Sequence, residues 1–281
     1  IDCQCRKPKT GMIEAAAREY PVDLGASWFI GDRTMDIQTG INAGLATVLV
    51  RTGKAGKDGR FDVQPDFTFD TLDEAVAFII EGRPALLEKL APVVDAAAAG
   101  RGTSPYVIAL GGQARSGKST LARLLARTLG ARGITAQVLS LDNWLVGAPE
   151  RTEDMTVRGR YRYGDIERDI GRLLAGETIA PGRYDSYRRT TAAGGSFSLD
   201  GARCLIVDGV PALDVPGLRH LSPCRLFAEV PEGQRRERFF AFYRWKNMPE
   251  HEIEALYRKR LDDEFPVIEE SKRHAHRIVR S

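Results

Sequence analysis

A phosphate-binding pattern lies near the middle of the chain. Residues 112–119 read GQARSGKS, which fits the pattern G-x-x-x-x-G-K-[ST] in full. Glycines let the backbone wrap closely around phosphate oxygens, and the N–H groups that open the following helix supply donors and a positive dipole end. We expect Lys118 to reach the β- and γ-phosphates of a nucleotide and the Ser119 hydroxyl to bind Mg²⁺. The predicted ATP-binding residues are Gly112, Gln113, Ala114, Arg115, Ser116, Gly117, Lys118, Ser119 and Thr120.

Two carboxylates directly follow strand-like apolar runs. Asp142 comes after VLSL and Asp208 after LIV. The carboxyl ends of parallel strands border the ligand crevice of an α/β sheet, so we expect both acids beside the phosphate loop. Asp142 is predicted to be the general base that draws a proton from an alcohol, and Asp208 to hold Mg²⁺ directly or through water. The alternative for Asp142 is a helix cap or a turn with Asn143.

A basic, helix-like segment follows a strand near residue 230. Helical spacing places several of its arginines on neighbouring faces. A mobile basic lid that closes over a transferring phosphate would stabilise its charge and exclude water. We predict such a lid, with Arg238 also in the catalytic set, and the alternative is a solvated basic face. The lid residues are Arg235, Arg238 and Arg244, and Arg236 lies on the same segment.

Strand-like and helix-like segments alternate along the chain, which predicts an α/β fold with mainly parallel sheets flanked by helices. The first unit is predicted to hold strands at 26–30, 46–50 and 67–69 and helices at 35–43 and 72–80. The second is predicted to hold strands at 106–110, 136–141, 204–207, 226–230 and 276–279, and helices at 119–129, 234–245 and 250–264. Between 141 and 204 we find a polar, arginine-rich stretch with few apolar runs. The predicted domains are 1–82, a linker helix and linker at 83–104, and 105–281.

Composition excludes some classes of protein. The 281 residues are 43% hydrophobic and 28% charged, with a net charge of +3, which suits a globular protein of two modest domains. No apolar run approaches the ~20 residues of a membrane helix, and no signal-peptide pattern opens the chain. Tyrosines interleave with the arginines between 151 and 189 and could stack on bases, but the near-balanced charge argues against a nucleic-acid partner. We expect a cytoplasmic protein with reduced thiols and no disulfide scaffold.

The second unit resembles the uridine kinase, phosphoribulokinase and pantothenate kinase superfamily. The matching segments are GGQARSGKST at 111–120, LDNW at 141–144, RYDSYRR at 183–189, IVDGV at 206–210 and DDEFPVI at 262–268. This resemblance implies a P-loop kinase that uses ATP and Mg²⁺ to phosphorylate a small alcohol. It implies that Asp142 is the base, that Tyr184 and Asp185 form the acceptor-site pair, and that Arg235, Arg238 and Arg244 fall in the lid.

One departure from that family concerns the acceptor. Where uridine kinases place an aspartate on the ribose hydroxyls, this chain has Arg162. Guanidinium groups suit phosphate or carboxylate, so we expect an anionic acceptor such as a sugar phosphate, bound with the help of Arg188 and Arg189. The alternative is that these arginines form an exposed loop face. Two other functions stay open: a nucleoside kinase, and a non-catalytic nucleotide-binding switch, which would need no acceptor base.

The first unit resembles the C-terminal half of haloacid-dehalogenase-type phosphatases of the histidinol-phosphate and heptose-bisphosphate subfamily. The matching segments are CQCRKP at 3–8, FIGDRTMDI at 29–37 and NAG at 42–44. The resemblance implies a partial Rossmann-like domain in which Lys7 stabilises a phosphoryl group and Asp32, with Asp36 as a second candidate, binds Mg²⁺. It also implies that Cys3 and Cys5 form half of a zinc site, and two exposed reactive thiols are the alternative.

The nucleophile of that phosphatase subfamily lies in an earlier strand that ends in Asp-x-Asp, and only Asp2 precedes Lys7 here. We therefore expect the chain as given not to be a phosphatase. It is interpreted as a fragment of a bifunctional phosphatase–kinase of carbohydrate metabolism, whose missing N-terminal segment would be its partner and supply two more zinc ligands. The alternative is a natural remnant kept as a docking surface. A homo-oligomer stays open.

Overall fold

The computed structural model describes residues 3–100, 102 and 104–280, and the chain divides into two compact units after Ala85. The helices are α1 (Gly11–Glu19), α2 (Thr34–Asn42), α3 (Leu72–Ala77), α4 (Arg83–Ala99), α5 (Lys118–Ala131), α6 (Val157–Arg160), α7 (Tyr163–Leu174), α8 (Pro216–Leu221), α9 (Glu232–Trp245), α10 (Glu250–Asp263) and α11 (Phe265–Ser271). The strands are β1 (Trp28–Gly31), β2 (Ala46–Val50), β3 (Phe67–Phe69), β4 (Tyr106–Gly112), β5 (Ala136–Ser140), β6 (Arg183–Asp185), β7 (Thr190–Ala192), β8 (Cys204–Asp208), β9 (Cys224–Glu229) and β10 (Arg277–Arg280).

The first unit is built on a small parallel sheet in the order β1-β2-β3. Trp28 lies opposite Ala46 and Val48 opposite Phe67, so β1 and β3 flank the buried strand β2. Ile37 of α2 and Ala75 of α3 are buried beside the sheet. The predicted strands at 46–50 and 67–69 coincide with β2 and β3. The predicted helix at 72–80 continues from α3 into a wider helical turn over Phe78–Gly82.

The second unit is built on a five-stranded sheet in the order β10-β9-β4-β8-β5, with every neighbouring pair parallel. This confirms the predicted fold class. Asp208 lies opposite Leu110 of β4 and opposite Ser140 of β5. The carboxyl ends of β4, β8 and β5 therefore meet at one edge, where the segments that follow them can combine their side chains.

Helix α5 owes its position to a one-sided apolar face. Leu121, Leu125 and Leu129 recur every four residues and are all buried. This spacing matches the 3.6-residue helical period and buries one stripe of the helix. The helix starts at Lys118 directly after Gly117, so the phosphate-binding pattern lies between β4 and the first turn of α5.

The stretch between 141 and 204 is more ordered than its sequence suggested. Helix α7 buries Ile166, Ile170 and Leu173, and Val157 and Tyr161 belong to the same core as the sheet. The description of a polar, arginine-rich stretch with few apolar runs is compatible with this core, because the apolar residues are spaced for a helix and do not form runs. In the described part of the chain, we find no helix both long and apolar enough to cross a membrane.

Candidate nucleotide-binding and phosphoryl-transfer site

The loop between β4 and α5 has a backbone that only glycine adopts easily at two points. Gly112 has a φ of 141° and Gly117 a φ of 86°. A Cβ atom on Gly112 would lie 2.5 Å from the backbone oxygen of Ala228. The loop therefore combines a left-handed backbone with close approach to β9, which is the geometry that turns successive N–H groups inward.

Lys118 lies buried at the start of α5, with its ammonium group inside the loop. Its Nζ donates to the backbone oxygen of Gln113 at 2.7 Å. Burial lowers the pKa of Lys118 to about 8, and the negative charges of Asp208 and Asp142 oppose this shift. The loop thus surrounds a partly desolvated cation, which interacts more strongly with an anion than an exposed lysine would.

Asp208 and Ser119 are hydrogen-bonded where β8 ends. The Ser119 Oγ donates to Asp208 Oδ2 at 2.9 Å, and Asp208 is almost completely buried. Burial raises the pKa of Asp208 to about 6, while the Ser119 hydroxyl and the Lys118 charge lower it. A hydroxyl and a carboxylate placed side by side are the oxygen ligands that Mg²⁺ prefers.

Asp142 lies in the helical turn Leu141–Trp144 that follows β5. The turn is anchored by the buried Trp144, whose indole N–H donates to Asp169 Oδ2 on α7 at 2.9 Å. The Tyr161 hydroxyl donates to Asp142 Oδ1 at 3.2 Å. The charge of Asp142 raises the pKa of both Lys118 and Asp208, so the three groups lie within electrostatic reach of one another.

The fit of this site to a phosphate can be tested on a buried polar atom. The Oγ of Ser116, within the loop, is buried and has no hydrogen-bond partner among the described residues. Buried hydroxyls are nearly always hydrogen-bonded, so an unpartnered one marks a site that accepts a further group.

Gln113 and Ala114 lie in the same loop, and Thr120 lies in the first turn of α5. Arg115 stacks on Phe242 of α9, with the guanidinium carbon 3.2 Å from the ring centre.

The predicted acceptor residues separate into two groups. Tyr184 is half-buried near Asp142: burial raises its pKa, Arg151 and Arg189 lower it, and Asp142 raises it further. Asp185 instead holds the turn between β6 and β7, where its Oδ1 accepts from the backbone N–H groups of Tyr187 at 2.8 Å and Arg188 at 3.0 Å.

Two of the arginines predicted to bind the acceptor lie on the surface. The Arg188 side chain is 78% exposed and pairs with Asp185. The Arg162 side chain is half exposed, and its Nε lies 3.8 Å from Asp165 on α7. The structure therefore places Tyr184 within electrostatic reach of Asp142 and Arg189, and it directs the Arg162 and Arg188 side chains to nearby acids.

The predicted lid arginines face in different directions on α9. Arg235 is buried, its Nη2 donates to the Tyr257 hydroxyl at 3.1 Å, and its charge lowers the pKa of Lys118. Arg244 is exposed and forms two hydrogen bonds to Glu250 of α10. Arg238 is half-buried on the same helix. Arg236 is exposed and pairs with Glu254, so both the lid and the solvated-face interpretations describe part of this helix.

Several residues at the site escaped the sequence analysis. Tyr161 donates a hydrogen bond to Asp142. Three further arginines lie near Tyr161 or Tyr184, and these are Arg151, Arg160 and Arg260. Tyr161 stood out in the sequence only as an aromatic residue among arginines. No local signal marked Arg260, because it lies on α10, about 120 residues along the chain from Asp142.

In the first unit, the predicted phosphatase residues gather at the end of β1. Lys7 pairs with Asp36 Oδ1, and the other oxygen of Asp36 accepts from the backbone N–H of Arg33 at 3.1 Å. Asp32 Oδ2 accepts from the backbone N–H of Lys54 at 2.6 Å. A cation and two acids thus share one end of the small sheet.

The zinc prediction finds no support. Cys3 and Cys5 are joined by a disulfide, and a disulfide sulfur has no thiolate to offer Zn²⁺. The alternative of two free thiols does not describe them either. Within residues 3–100, 102 and 104–280, no group of three or more His, Cys, Asp or Glu side chains could hold a metal ion.

Comparison with known proteins agrees with these two units. Residues 4–75 match the haloacid-dehalogenase-like hydrolase family. The chain is 46% identical over 52 residues to a D-glycero-beta-D-manno-heptose-1,7-bisphosphate 7-phosphatase of Pseudomonas putida, covering 18% of this chain and 30% of that protein. It is 40% identical over 86 residues to the D-glycero-D-manno-heptose-1,7-bisphosphate 7-phosphatase of Chlorobaculum tepidum, covering 28% of this chain and 43% of that protein. The chain thus spans less than half the length of these relatives.

For the second unit the likeness is structural. A solved structure from Silicibacter sp. TM1040, described as a candidate fructose transport system kinase, aligns with a TM-score of 0.56 at 20% identity and covers 69% of this chain and 98% of that one. Because that share of the chain is more than twice the length of the first unit, the alignment must extend over much of the second unit. The chain therefore combines a haloacid-dehalogenase-like N-terminal segment with a P-loop kinase fold, which confirms both predicted resemblances.

Proposed function

We propose that the chain is an ATP-dependent kinase that transfers the γ-phosphoryl group to a hydroxyl of a small molecule. The observation that carries this proposal is that Asp208 is hydrogen-bonded to Ser119 of the phosphate loop, while Asp142 lies close enough to raise the pKa of both Asp208 and Lys118. A nucleotide-binding switch needs the loop and the Mg²⁺ ligands but has no need of a further carboxylate held at the same place. A kinase that acts on an alcohol needs all of them.

The loop and its lysine would bind the triphosphate. Backbone N–H groups between Gly112 and Ser119 would donate to its oxygens, and the buried ammonium of Lys118 would balance the charge of the terminal phosphates. Arg235, whose charge already acts on Lys118, would add a second cation at the same end. Mg²⁺, held through Ser119 and Asp208, would neutralise charge on the phosphate oxygens.

Asp142 would act on the acceptor. As the acceptor oxygen forms its bond to the γ-phosphorus, the bond from that phosphorus to the β–γ bridging oxygen breaks and ADP leaves with the electron pair. Asp142 accepts the hydroxyl proton, and the Tyr161 hydroxyl keeps the carboxylate oriented. At one edge of the sheet, Lys118 would thus balance negative charge on the triphosphate, and Asp142 would accept the proton of the acceptor.

The first unit supports a sugar or sugar phosphate as the acceptor. Its relatives are named as phosphatases of heptose bisphosphates, and Lys7, Asp32 and Asp36 lie together as a phosphoryl site of that class would require. We propose that the chain belongs to a bifunctional phosphatase–kinase whose two activities handle related carbohydrate phosphates.

The test is acceptor-stimulated release of ADP from ATP and Mg²⁺, with the phosphorylated product identified by mass spectrometry. The acceptors are free sugars, sugar phosphates and nucleosides. We expect turnover with a sugar or sugar phosphate, loss of that turnover in Lys118→Ala, and full turnover in the control Lys259→Ala, an exposed lysine on α10. Binding of ATP without stimulation by any acceptor would favour the switch, and preference for nucleosides would favour a nucleoside kinase.

A further inference from the structure

A cluster of three arginines near Tyr161 and Tyr184 contains two unsatisfied N–H groups, and its members are Arg151, Arg160 and Arg260. Arg151 follows a short helical turn after β5, and its Nε donates to the backbone oxygen of Val146 at 2.8 Å. The backbone oxygen of Arg160 accepts from the N–H of the same Val146 at 2.9 Å, which links the two arginines. Arg151 Nη2 and Arg160 Nε are both buried without a hydrogen-bond partner among the described residues.

The cluster also has more positive than negative charge. Arg160 pairs with Asp263 and, at 3.2 Å, with Glu264, and Arg260 pairs with the same Glu264. Burial lowers the pKa of Arg260, and the charges of Arg160 and Arg151 lower it further. The cluster therefore holds three guanidinium groups and two carboxylates, and the carboxylates pair with Arg160 and Arg260. Arg151 has no acid among its hydrogen-bond or ion-pair partners in the described part of the chain.

Arg151 is linked to the candidate base through a chain of contacts: its Nε donates to the backbone oxygen of Val146, the neighbouring Leu145 pairs with Tyr161, and the Tyr161 hydroxyl donates to Asp142. The arginines whose charges lower the pKa of Lys118 in the phosphate loop are Arg115 and Arg235. Arg151 acts instead on Tyr184 and Arg260. The pKa of Tyr184 is also raised by the charge of Asp142, so the candidate base and the unsatisfied guanidinium both lie within electrostatic reach of this tyrosine.

We propose that Arg151, supported by Arg260, binds an anionic group of the acceptor while the acceptor hydroxyl faces Asp142. The group is an oxyanion, either a phosphate monoester or a carboxylate, because both accept paired hydrogen bonds from a guanidinium. This proposal rests on the kinase function proposed above and deepens it. It moves the recognition of the anion from Arg162, which is half exposed and lies beside Asp165, to an arginine with a buried unpartnered N–H.

The experiment uses the full chain and matched acceptors: a free sugar, its monophosphate and the corresponding sugar acid. Turnover is measured by ADP release for the wild type, Arg151→Gln, Arg151→Lys, Arg260→Gln and Arg162→Gln. A control variant, Arg172→Gln, removes an exposed arginine that pairs with Glu177 on the surface of α7. Binding of a non-hydrolysable ATP analogue and thermal unfolding are recorded for every variant, so that loss of folding is separated from loss of recognition.

We expect the wild type to prefer an anionic acceptor. Comparison of turnover with the sugar monophosphate and with the sugar acid decides which oxyanion it binds. Arg151→Gln should raise the KM for that acceptor about 10- to 100-fold, with little change in kcat or in binding of the ATP analogue. Arg151→Lys keeps the charge without the paired N–H geometry. Its KM for that acceptor should lie between the KM of the wild type and the KM of Arg151→Gln. Arg260→Gln should raise the same KM less than Arg151→Gln does.

Three results would overturn the proposal. A free sugar could be turned over as efficiently as its phosphate and its acid. Arg162→Gln could raise the acceptor KM while a folded Arg151→Gln or Arg151→Lys left it unchanged. Arg151→Gln could weaken binding of the ATP analogue, which would assign Arg151 to the nucleotide. Binding of the analogue without turnover of any acceptor would contradict the kinase function itself, and is thereby distinguished from failure of the anion site alone.

Discussion

Replacement of Asp142 by asparagine isolates proton transfer from every other role of this residue. The amide oxygen can still accept from the Tyr161 hydroxyl, which now lies 3.2 Å from Asp142 Oδ1, and the side chain keeps its shape. What is lost is the ability to accept a proton. A positioned general base contributes about 10²- to 10⁴-fold to a rate, so we expect kcat to fall by that factor, equivalent to ~3–5 kcal/mol of activation free energy.

The same substitution should change the use of ATP very little. The Asp142 charge raises the pKa of Asp208 and of Lys118, so its removal makes the acid easier to ionise and the lysine easier to deprotonate. These effects oppose each other in binding MgATP. With a pKa of about 8, Lys118 is mostly charged at pH ~7, and a modest further fall in this pKa leaves a large charged fraction. We therefore expect the KM for ATP to change by only about twofold.

The assay is steady-state ADP release at saturating acceptor, beside calorimetric titration of a non-hydrolysable ATP analogue. Asp200→Asn is the matched control, because Asp200 is exposed, has a φ of 46°, and asparagine tolerates that backbone equally well. A folded Asp142→Asn variant with kcat within about tenfold of the wild type would refute the assignment of Asp142 as base. A large rise in the KM for ATP at unchanged kcat would also refute it and would give Asp142 a role in binding nucleotide.

Three further predictions concern the same loop and its neighbours. The kcat/KM for ATP should fall below pH about 6, as Asp208 protonates, and above pH about 8, as Lys118 loses its proton, so a flat profile across this range would contradict both shifts. Gly112→Ala should cost about 1–3 kcal/mol in urea unfolding, because its Cβ would meet a carbonyl oxygen at a φ of 141°. Gly130→Ala, in open space on α5, should instead stabilise by about 0.5–1 kcal/mol, and equal effects at the two glycines would argue against strain. Tyr161→Phe removes the hydrogen bond to the candidate base and should lower kcat about tenfold at constant KM for ATP, whereas an unchanged kcat would mean that the base needs no such support.

Local backbone chemistry explains why the phosphate loop was predictable. The left-handed φ values of Gly112 and Gly117 require glycine wherever they occur, so the pattern of glycine, lysine and serine can be recognised without knowing the surrounding fold. Apolar runs similarly predicted β2, β4 and β8, because strands buried on both faces have nearly continuous hydrophobic sequences. Asp142 and Asp208 could be placed at one edge of the sheet because each follows a predicted strand, and the carboxyl ends of parallel strands share an edge.

The acceptor side was less predictable, because there a side chain's role depends on which neighbour it meets. Arg162 and Arg188 appeared in the sequence as binding residues, yet each lies beside an acid on the surface. Arg151 appeared to be one arginine among many, although its Nη2 is buried and unpartnered. Residue type and spacing do not record how deeply a flexible side chain is buried, so pattern reasoning could not rank these arginines.

The sequence alone determined the class of fold, the glycine-rich loop between β4 and α5 and the two carboxylates that follow strands, because each depends on short-range backbone geometry or on the order of strands. Only the tertiary structure decided which arginines approach Tyr184 and which lie in solvent. It also joined Cys3 to Cys5 and placed Arg260, from a helix far along the chain, beside Arg151 and Arg160. Charges separated by many residues become neighbours only when the core that holds their helices has formed, and their interaction energy then follows their distance and burial.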